Sequence, residues 1–341
     1  MFSKSIVNII PIGSSSSGNS LYIHINDIGF LVDAGIKCSN VINNIEKEGF
    51  KDIDYLFVTH THIDHIKYLK NIIKEVNPLV LASIPVCELV DYVTNKEALD
   101  YFYKKELNKG LFVTMIKTYH DTKGPSGYVF EKDGVKIGYV TDTGMITKQM
   151  LNILKGSQIV IMESNHDIDM LENGPYPIFL QDRIKSNYGH LSNEQCSKTC
   201  RWLADNGTKH FFLAHLSEEN NNPELALEVT SKALEGLETD VYVLPKYDGE
   251  AKAIEIECLD KKTSNNEKTY NYCLVSIKDK TTKFWYLDES KTHKVNDEVL
   301  VPLGKKNKEV KGIITEIIEY KEDELPYPLE DTKRILIKEY S

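Results

Sequence analysis

In the stretch Thr59-His60-Thr61-His62-Ile63-Asp64-His65 the chain places three imidazoles and a carboxylate directly after the apolar run Tyr55 to Val58. A polar loop has no packing reason to crowd three basic groups beside an acid. Imidazole and carboxylate suit zinc, manganese or iron, and a turn lets successive side chains converge on one point. The apolar run reads as a strand, and the spacing of Ile66, Leu69, Ile72 and Ile73 reads as a helix behind it. Whatever fold forms must carry a metal site where a strand ends and a helix begins.

One cluster cannot close two coordination spheres, so further ligands are expected from other strand ends. Three candidates follow apolar runs: His120-Asp121 after Phe112 to Ile116, Asp142 after Lys136 to Val140, and His215 after His210 to Leu213. Other strands are expected at Ile6 to Ile10, Leu21 to Ile25, Phe30 to Val32, Tyr128 to Glu131, Ile159 to Met162 and Val241 to Leu244, with a hairpin turn at Asp133-Gly134. Helices are expected around Val41 to Ile45 and over 147–154, 178–187, 192–205 and 223–236. The helix over 178–187 carries the apolar stripe Ile178, Phe179, Ile184, and the one at 192 opens on a capping-box sequence, Ser192 to Gln195. Strands with helices on both sides imply an α/β sandwich.

A polar stretch at 259–268 reads as a linker, which divides the chain into a first domain over 1–258 and a small β-rich, barrel-like domain over 269–341. No apolar run approaches the roughly 20 residues that span a bilayer, and no signal peptide is evident, so a cytoplasmic protein with no membrane partner is expected. The six scattered cysteines form neither a disulfide framework nor a zinc finger; Cys196 and Cys200 share a helix face and read as core residues. A net charge of -10 argues mildly against nucleic acid, although bound divalent cations reverse the field where a phosphate would sit.

Several segments together resemble the metallo-β-lactamase superfamily and its YycJ/WalJ-like exonuclease branch. They are Gly13-Ser14-Ser15-Ser16-Ser17-Gly18-Asn19-Ser20, Leu31-Val32-Asp33-Ala34-Gly35, the histidine motif, Thr141-Asp142-Thr143-Gly144, Glu163-Ser164-Asn165-His166-Asp167, Gly189-His190-Leu191-Ser192-Asn193 and Ala214-His215-Leu216-Ser217-Glu218-Glu219-Asn220-Asn221. The resemblance covers residues 1–258 and implies an αββα sandwich. It also implies that His60, His62 and His120 bind one divalent metal, that Asp64, His65 and His215 bind a second, and that Asp142 bridges them. Thr61 and Ile63 stand where Glu and Ser are more familiar in the family. The short interval between Asp142 and His215 leaves no room for the large insertion of ribonuclease J-like nucleases.

Two such metals, zinc or manganese with iron as a further option, can share a hydroxide and clamp the oxygens of a displacement, which suits a phosphodiester. Asp64 can orient the hydroxide as well as bind metal. His190 is a candidate for stabilising transition-state charge or protonating the leaving oxygen, or else caps the helix near Ser192. His166 either lines the substrate channel or hydrogen-bonds a ligand. Asp33 reads as the partner of a ligand histidine. The Ser14 to Ser17 run reads as a tight connection beneath the site rather than a phosphate loop, since it lacks the ending of one. His24, His210 and His293 read as structural or solvated.

Between residues 259 and 341 there are 16 Lys and Arg against 16 Asp and Glu, so the first domain carries the whole negative excess. Lys305, Lys306, Lys308 and Lys311 crowd one expected hairpin, with Phe284, Trp285 and Tyr286 nearby in sequence, a combination suited to single-stranded nucleic acid. The short run Asp297 to Lys305 followed by Gly312-Ile313-Ile314 resembles the N-terminal DNA-binding domain of the primosomal helicase PriA. The expected function is a metal-dependent DNA exonuclease, 5′ to 3′ favoured. The alternatives are a hydrolase of a small ester, lactone or thioester on the same metals, and a non-catalytic DNA-binding or regulatory protein.

Overall fold

The structure, a computed structural model, describes residues 4–247, 249–259, 269–278, 282–304 and 306–321, together with residues 325, 327, 329 and 332–336. The chain separates into two compact units, Met1–Lys261 and Lys262–Ser341. In the first unit, β1 (Lys4–Ser15), β2 (Gly18–Ile25), β3 (Ile28–Val32), β4 (Tyr55–Phe57), β5 (Leu79–Ser83) and β6 (Lys96–Leu99) follow one another across a sheet. A second sheet runs in order from β7 (Lys104–Glu106) through β8 (Phe112–Lys117), β9 (Ser126–Lys132), β10 (Val135–Val140), β11 (Ile159–Glu163) and β12 (His210–Ala214) to β13 (Asp240–Val243). The strand β14 (Ile254–Leu259) returns to pair antiparallel with β1, from Lys4 opposite Leu259 to Ile9 opposite Ile254, so that each sheet has seven strands.

Alternation along these strands builds three apolar layers. Phe30 of β3, Phe57 of β4, Phe130 of β9, Ile161 of β11 and Phe212 of β12 face the space between the sheets. Their neighbours Leu31, Leu56 and Val58 meet the helices α1 (Cys38–Lys47), α2 (Ile63–Ile66), α3 (Leu69–Val76) and α4 (Ile84–Leu89) on the outside of the first sheet. On the second sheet Val160, Met162, Phe211 and Leu213 face outward to α5 (Lys148–Leu154), α8 (Asn193–Asp205) and α9 (Pro223–Ala233), while α6 (Ile168–Asn173) and α7 (Ile178–Lys185) lie in the connection after β11. Strands buried on both faces read as continuous apolar runs, which is why these were visible in the sequence. The result is the αββα sandwich.

The Asp133-Gly134 turn has left-handed φ at both residues (49° and 76°) and joins β9 to β10 with Val135 opposite Lys132. The helical pattern from Ile66 to Ile73 is broken at Lys67 and Tyr68 into α2 and α3. The stripe Ile178, Phe179, Ile184 is not a core face: Ile178 and Phe179 of α7 point into solvent. Cys196 and Cys200, with sulfurs 3.9 Å apart, sit in the outer apolar layer of the second sheet.

The second unit is a four-stranded antiparallel sheet in the order β16 (Phe284–Asp288), β15 (Thr269–Ile277), β18 (Lys308–Lys321), β17 (Glu298–Leu303). The expected linker lies outside the described residues apart from Leu259. Among the described residues no helix is long and apolar enough to cross a membrane.

The Phe57 ring packs 4.8 Å from Phe130, 5.2 Å from Tyr128 and 5.5 Å from Phe30, centroid to centroid. Phe57→Ala is expected to destabilise the first unit by about 3–5 kcal/mol, the range for truncating a buried phenylalanine. A urea titration followed by circular dichroism would read this as a lower midpoint at unchanged slope.

Candidate metal centre

Parallel pairing brings several strand ends level. Val32 lies opposite Phe57, Val140 opposite Met162, and Glu163 opposite Ala214. Asp33 follows β3, His60 to His65 follow β4, His120 follows β8, Asp142 follows β10, and His215 follows β12. Asp33, Asp142 and His215 take left-handed backbone angles, with φ of 64°, 53° and 58°. Such conformations cost non-glycine residues on the order of 1–3 kcal/mol each and collect at functional sites.

The histidine turn is built around Asp33. Its buried carboxylate accepts hydrogen bonds from the Thr59 amide and hydroxyl, both at 2.8 Å, and lies 2.7 Å from His65 Nδ1. With Nδ1 held there, His65 Nε2 faces Asp64 at 3.2 Å and Asp142 at 3.4 Å. The Ala34 amide donates to the His65 carbonyl at 2.7 Å. A Cβ on Gly35 would lie 1.7 Å from the Asp64 carbonyl oxygen, so glycine is what lets these two segments approach.

Four overlapping groups of ligand atoms result among the described residues; two of them, His60 with His65 and Asp142, and Glu163 with Asp142, His190 and His215, share Asp142. His60, His62 and His120 bring nitrogens within 4.8 Å of one another, and Asp64, His65 and His215 do the same with their nitrogens and carboxylate. Asp142 stands beside both, 3.7 Å from His120 Nε2 and 3.5 Å from His215 Nε2. His60 Nε2, Asp142 Oδ2 and His215 Nε2 are buried without a hydrogen-bond partner. Leaving such atoms unpaired is costly, and a divalent cation with imidazole and carboxylate ligands supplies the missing interaction. The residues therefore fit divalent metal.

Electrostatics divide the set: burial would lower His65 and His215, but Asp142 and the neighbouring carboxylates outweigh it and raise both, a balance that a bound cation would reverse. Burial, with the neighbouring His65 charge, holds the His60 imidazole well below its ordinary value, in the neutral form that ligates metal. Burial alone would raise Asp142, but His215, His65 and His60 outweigh it and hold the carboxyl well below the usual range.

Glu163 was legible only as part of a segment, and its place is central. Its Oε1 lies 2.8 Å from His190 Nδ1 and 3.0 Å from His215 Nδ1, while Oε2 accepts from the Thr143 and Leu191 amides at 3.1 and 3.0 Å. Burial opposes its charge, but His190 and the hydrogen bonds prevail and hold it at about 2. The signal available in the sequence was an acid closing an apolar strand, Ile159 to Met162. Asn19 was likewise missed: the Ser14 to Ser17 run forms a hairpin tip, Ser15 opposite Gly18, and Asn19 Nδ2 reaches Asp64 Oδ2 at 3.0 Å.

His190 faces His120 and His215 with ring centroids 4.9 and 5.3 Å away. The cap of α8 is made by Ser192, whose hydroxyl accepts from the Gln195 amide at 3.2 Å, so His190 has no capping role. His166 is buried with Nδ1 unpartnered, and no hydrogen bond ties its ring to a candidate ligand. His210 and His293 face Asp240 and Asp288, each at 3.0 Å, and His24 packs on Phe50.

In the second unit Lys306, Lys308 and Lys311 are exposed around the β17 to β18 turn, Lys311 pairing with Glu298 at 2.7 Å; Lys305 lies outside the described residues. A cavity of about 320 Å³ opens there, lined in part by Lys283, Phe284, Trp285, Leu303 and Lys333.

The family model for the beta-lactamase superfamily domain matches residues 29–216, which span every candidate ligand named above. The chain belongs to the beta-lactamase superfamily. It is a metallo-β-lactamase-fold hydrolase. The exodeoxyribonuclease YycJ of Bacillus anthracis is 32% identical over 238 residues, covering 66% of this chain and 88% of that protein. The exodeoxyribonuclease WalJ of Streptococcus pneumoniae is 32% identical over 225 residues, 63% of this chain and 83% of that one. Among solved structures, the metallo-β-lactamase fold protein YhfI of Bacillus subtilis superposes with a TM-score of 0.57 at 14% identity, over 74% of this chain and 100% of that one. The metallo hydrolase Igni18 of Ignicoccus hospitalis gives 0.55 at 16% identity, over 74% and 98%. These two likenesses establish the fold.

Asp33→Asn keeps the left-handed backbone but cannot accept the His65 proton as a carboxylate does. It is expected to weaken metal binding about 10–100-fold, the usual cost of losing a ligand's hydrogen-bond partner, read by titration against a chelator.

Burial pushes the His166 imidazole down to about 4. The unfolded chain therefore binds this proton at higher pH than the folded one, and stability rises with pH between about 4 and the ordinary histidine value of about 6.5. Relative to His166→Asn, the wild-type chain should lose on the order of 3 kcal/mol between pH 7 and pH 4, measured as the difference between two urea-unfolding series.

Proposed function

We propose that the protein is a metal-dependent DNA exonuclease, working from the 5′ end. The observation that carries this is the match to the YycJ exodeoxyribonuclease across 88% of that protein's length. The strand-end site supports it, because His62 and Asp64 keep part of their side chains open to solvent, where a chain end can be presented.

In this proposal His60, His62 and His120 hold one cation, Asp64, His65 and His215 the other, and Asp142 serves both. Two zinc or manganese ions would acidify a water near neutral pH and clamp the attacking and leaving oxygens of the phosphodiester. The protein's own side chains do the rest. Asp64, fixed by Asn19, orients the nucleophile. Glu163 accepts a hydrogen bond from His190 Nδ1 and so fixes the ring for Nε2 to give a proton to the leaving oxygen. In the second unit, Lys306 and Lys308 with the cavity beside Phe284 and Trp285 suit a grip on the nucleic acid, cations for the backbone and rings for the bases.

The test is to incubate the purified protein, with manganese or zinc, with 5′-phosphorylated single- and double-stranded DNA labelled at either end. Stepwise nucleotide release from the 5′ end is expected. A chelator should abolish it, and His62→Ala and Asp142→Asn should each slow it at least about a hundredfold, since a ligand matters no less than the groups that orient it. Intact DNA with metal bound would overturn the proposal and favour a small ester, lactone or thioester as substrate.

A further inference from the structure

Of the exposed large apolar side chains among the described residues, the four most exposed are Ile178 at 76%, Phe179 at 74%, Ile63 at 70% and Tyr188 at 59%. All four lie on segments that border the metal centre. Ile63 sits between His62 and Asp64. Tyr188 directly precedes Gly189, whose carbonyl lies 3.2 Å from His120 Nδ1, and His190 follows. The Tyr188 ring packs 6.4 Å from that of Tyr119, the residue before His120, and Lys117 Nζ stands 6.0 Å from the Tyr119 ring.

Phe179 and Arg183 are four residues apart in α7 and so share a face of the helix. Arg183 Nε donates to Asp121 Oδ2 at 2.6 Å, and Nη2 also faces Asp121. The other oxygen of Asp121 lies 3.5 Å from His120 Nε2 and 3.8 Å from His62 Nε2. One side chain therefore separates the guanidinium from a candidate ligand set, on a unit whose net charge is strongly negative.

We propose that α7 and the Tyr119–Tyr188 pair form the surface along which a single nucleic-acid strand enters the metal centre, its bases on Phe179 and Tyr188 and a backbone phosphate on Arg183. The inference rests on the exonuclease reading and adds the substrate track to it. Rings interspersed with cations suit a strand that alternates bases and phosphates, because every base has a π face and every linkage a charge. A protein partner or a second copy of this chain has no comparable need for cations, Arg183 on the face of Phe179 and Lys117 beside Tyr119, next to the exposed rings. Arg183 stays mostly exposed although Asp121 holds it, whereas Lys185, on the same helix and paired with Glu172 at 2.9 Å, is the more covered of the two.

The full chain is tested with a fluorescent single-stranded oligonucleotide. Anisotropy without metal gives Kd, degradation with manganese gives kcat and KM, and light scattering gives the oligomeric state. Phe179→Ala and Tyr188→Ala are each expected to raise Kd and KM roughly tenfold, the loss falling on KM rather than kcat. Arg183→Ala should in addition flatten the dependence of log Kd on log salt by about 0.7, the value of one single-strand phosphate contact. Wild-type protein that degrades DNA while all three variants keep its Kd and KM would overturn the track and leave the nuclease reading standing. Unchanged Kd with a wild-type dimer that Phe179→Ala dissociates would overturn it in favour of contact between copies. A wild-type chain that neither binds nor cuts the oligonucleotide would overturn both.

Discussion

Apolar contact between two seven-stranded sheets decides where everything else can go. Aromatic and aliphatic side chains from both sheets fill the space between them, and an isolated charge in that interior would cost several kcal/mol. Ionisable groups are driven to the rim, where β3, β4, β10, β11 and β12 end. Because the pairing there is parallel, the ends fall together, and the polar residues that follow them meet. The sandwich thus supplies a dry wall behind the imidazoles and carboxylates, which strengthens every interaction among them.

Left-handed backbone at Asp33, Asp142 and His215 is the local cost of that convergence. Each residue follows the end of its strand within two positions, so the next side chains turn at the rim instead of continuing the pleat. Asp33 then ties the end of β3 to the start of the histidine turn through Thr59 and His65. Glu163 does the equivalent on the second sheet, joining His190 and His215 to the Thr143 and Leu191 amides. Two buried carboxylates, one per sheet, hold opposite walls of the centre.

Much of the framework was readable because strands buried on both faces leave unbroken apolar runs, as at Ile159 to Met162, and because three histidines within six positions have no packing explanation. Short or polar strands such as β6 and β7 leave no such trace. Periodicity misreads α7, since it records which side chains are apolar and not whether anything covers them; Ile178 and Phe179 satisfy the pattern and face water. Glu163 and Asn19 were hidden for a different reason. Their partners lie far along the chain, Glu163 meeting His215 and Asn19 meeting Asp64, and single-sequence patterns carry no information on such distances.

The pairing of β1 with β14 has a consequence for how the molecule is made. β1 leaves the ribosome some 250 positions ahead of β14, the strand that covers its outer edge. During that interval the edge beside Ile6, Asn8 and their neighbours has open backbone donors and acceptors, the arrangement most prone to pairing with a foreign strand. Closure of the first sheet is therefore a late event in biosynthesis, and the nascent chain passes through a stage in which the barrier against aggregation is kinetic rather than structural.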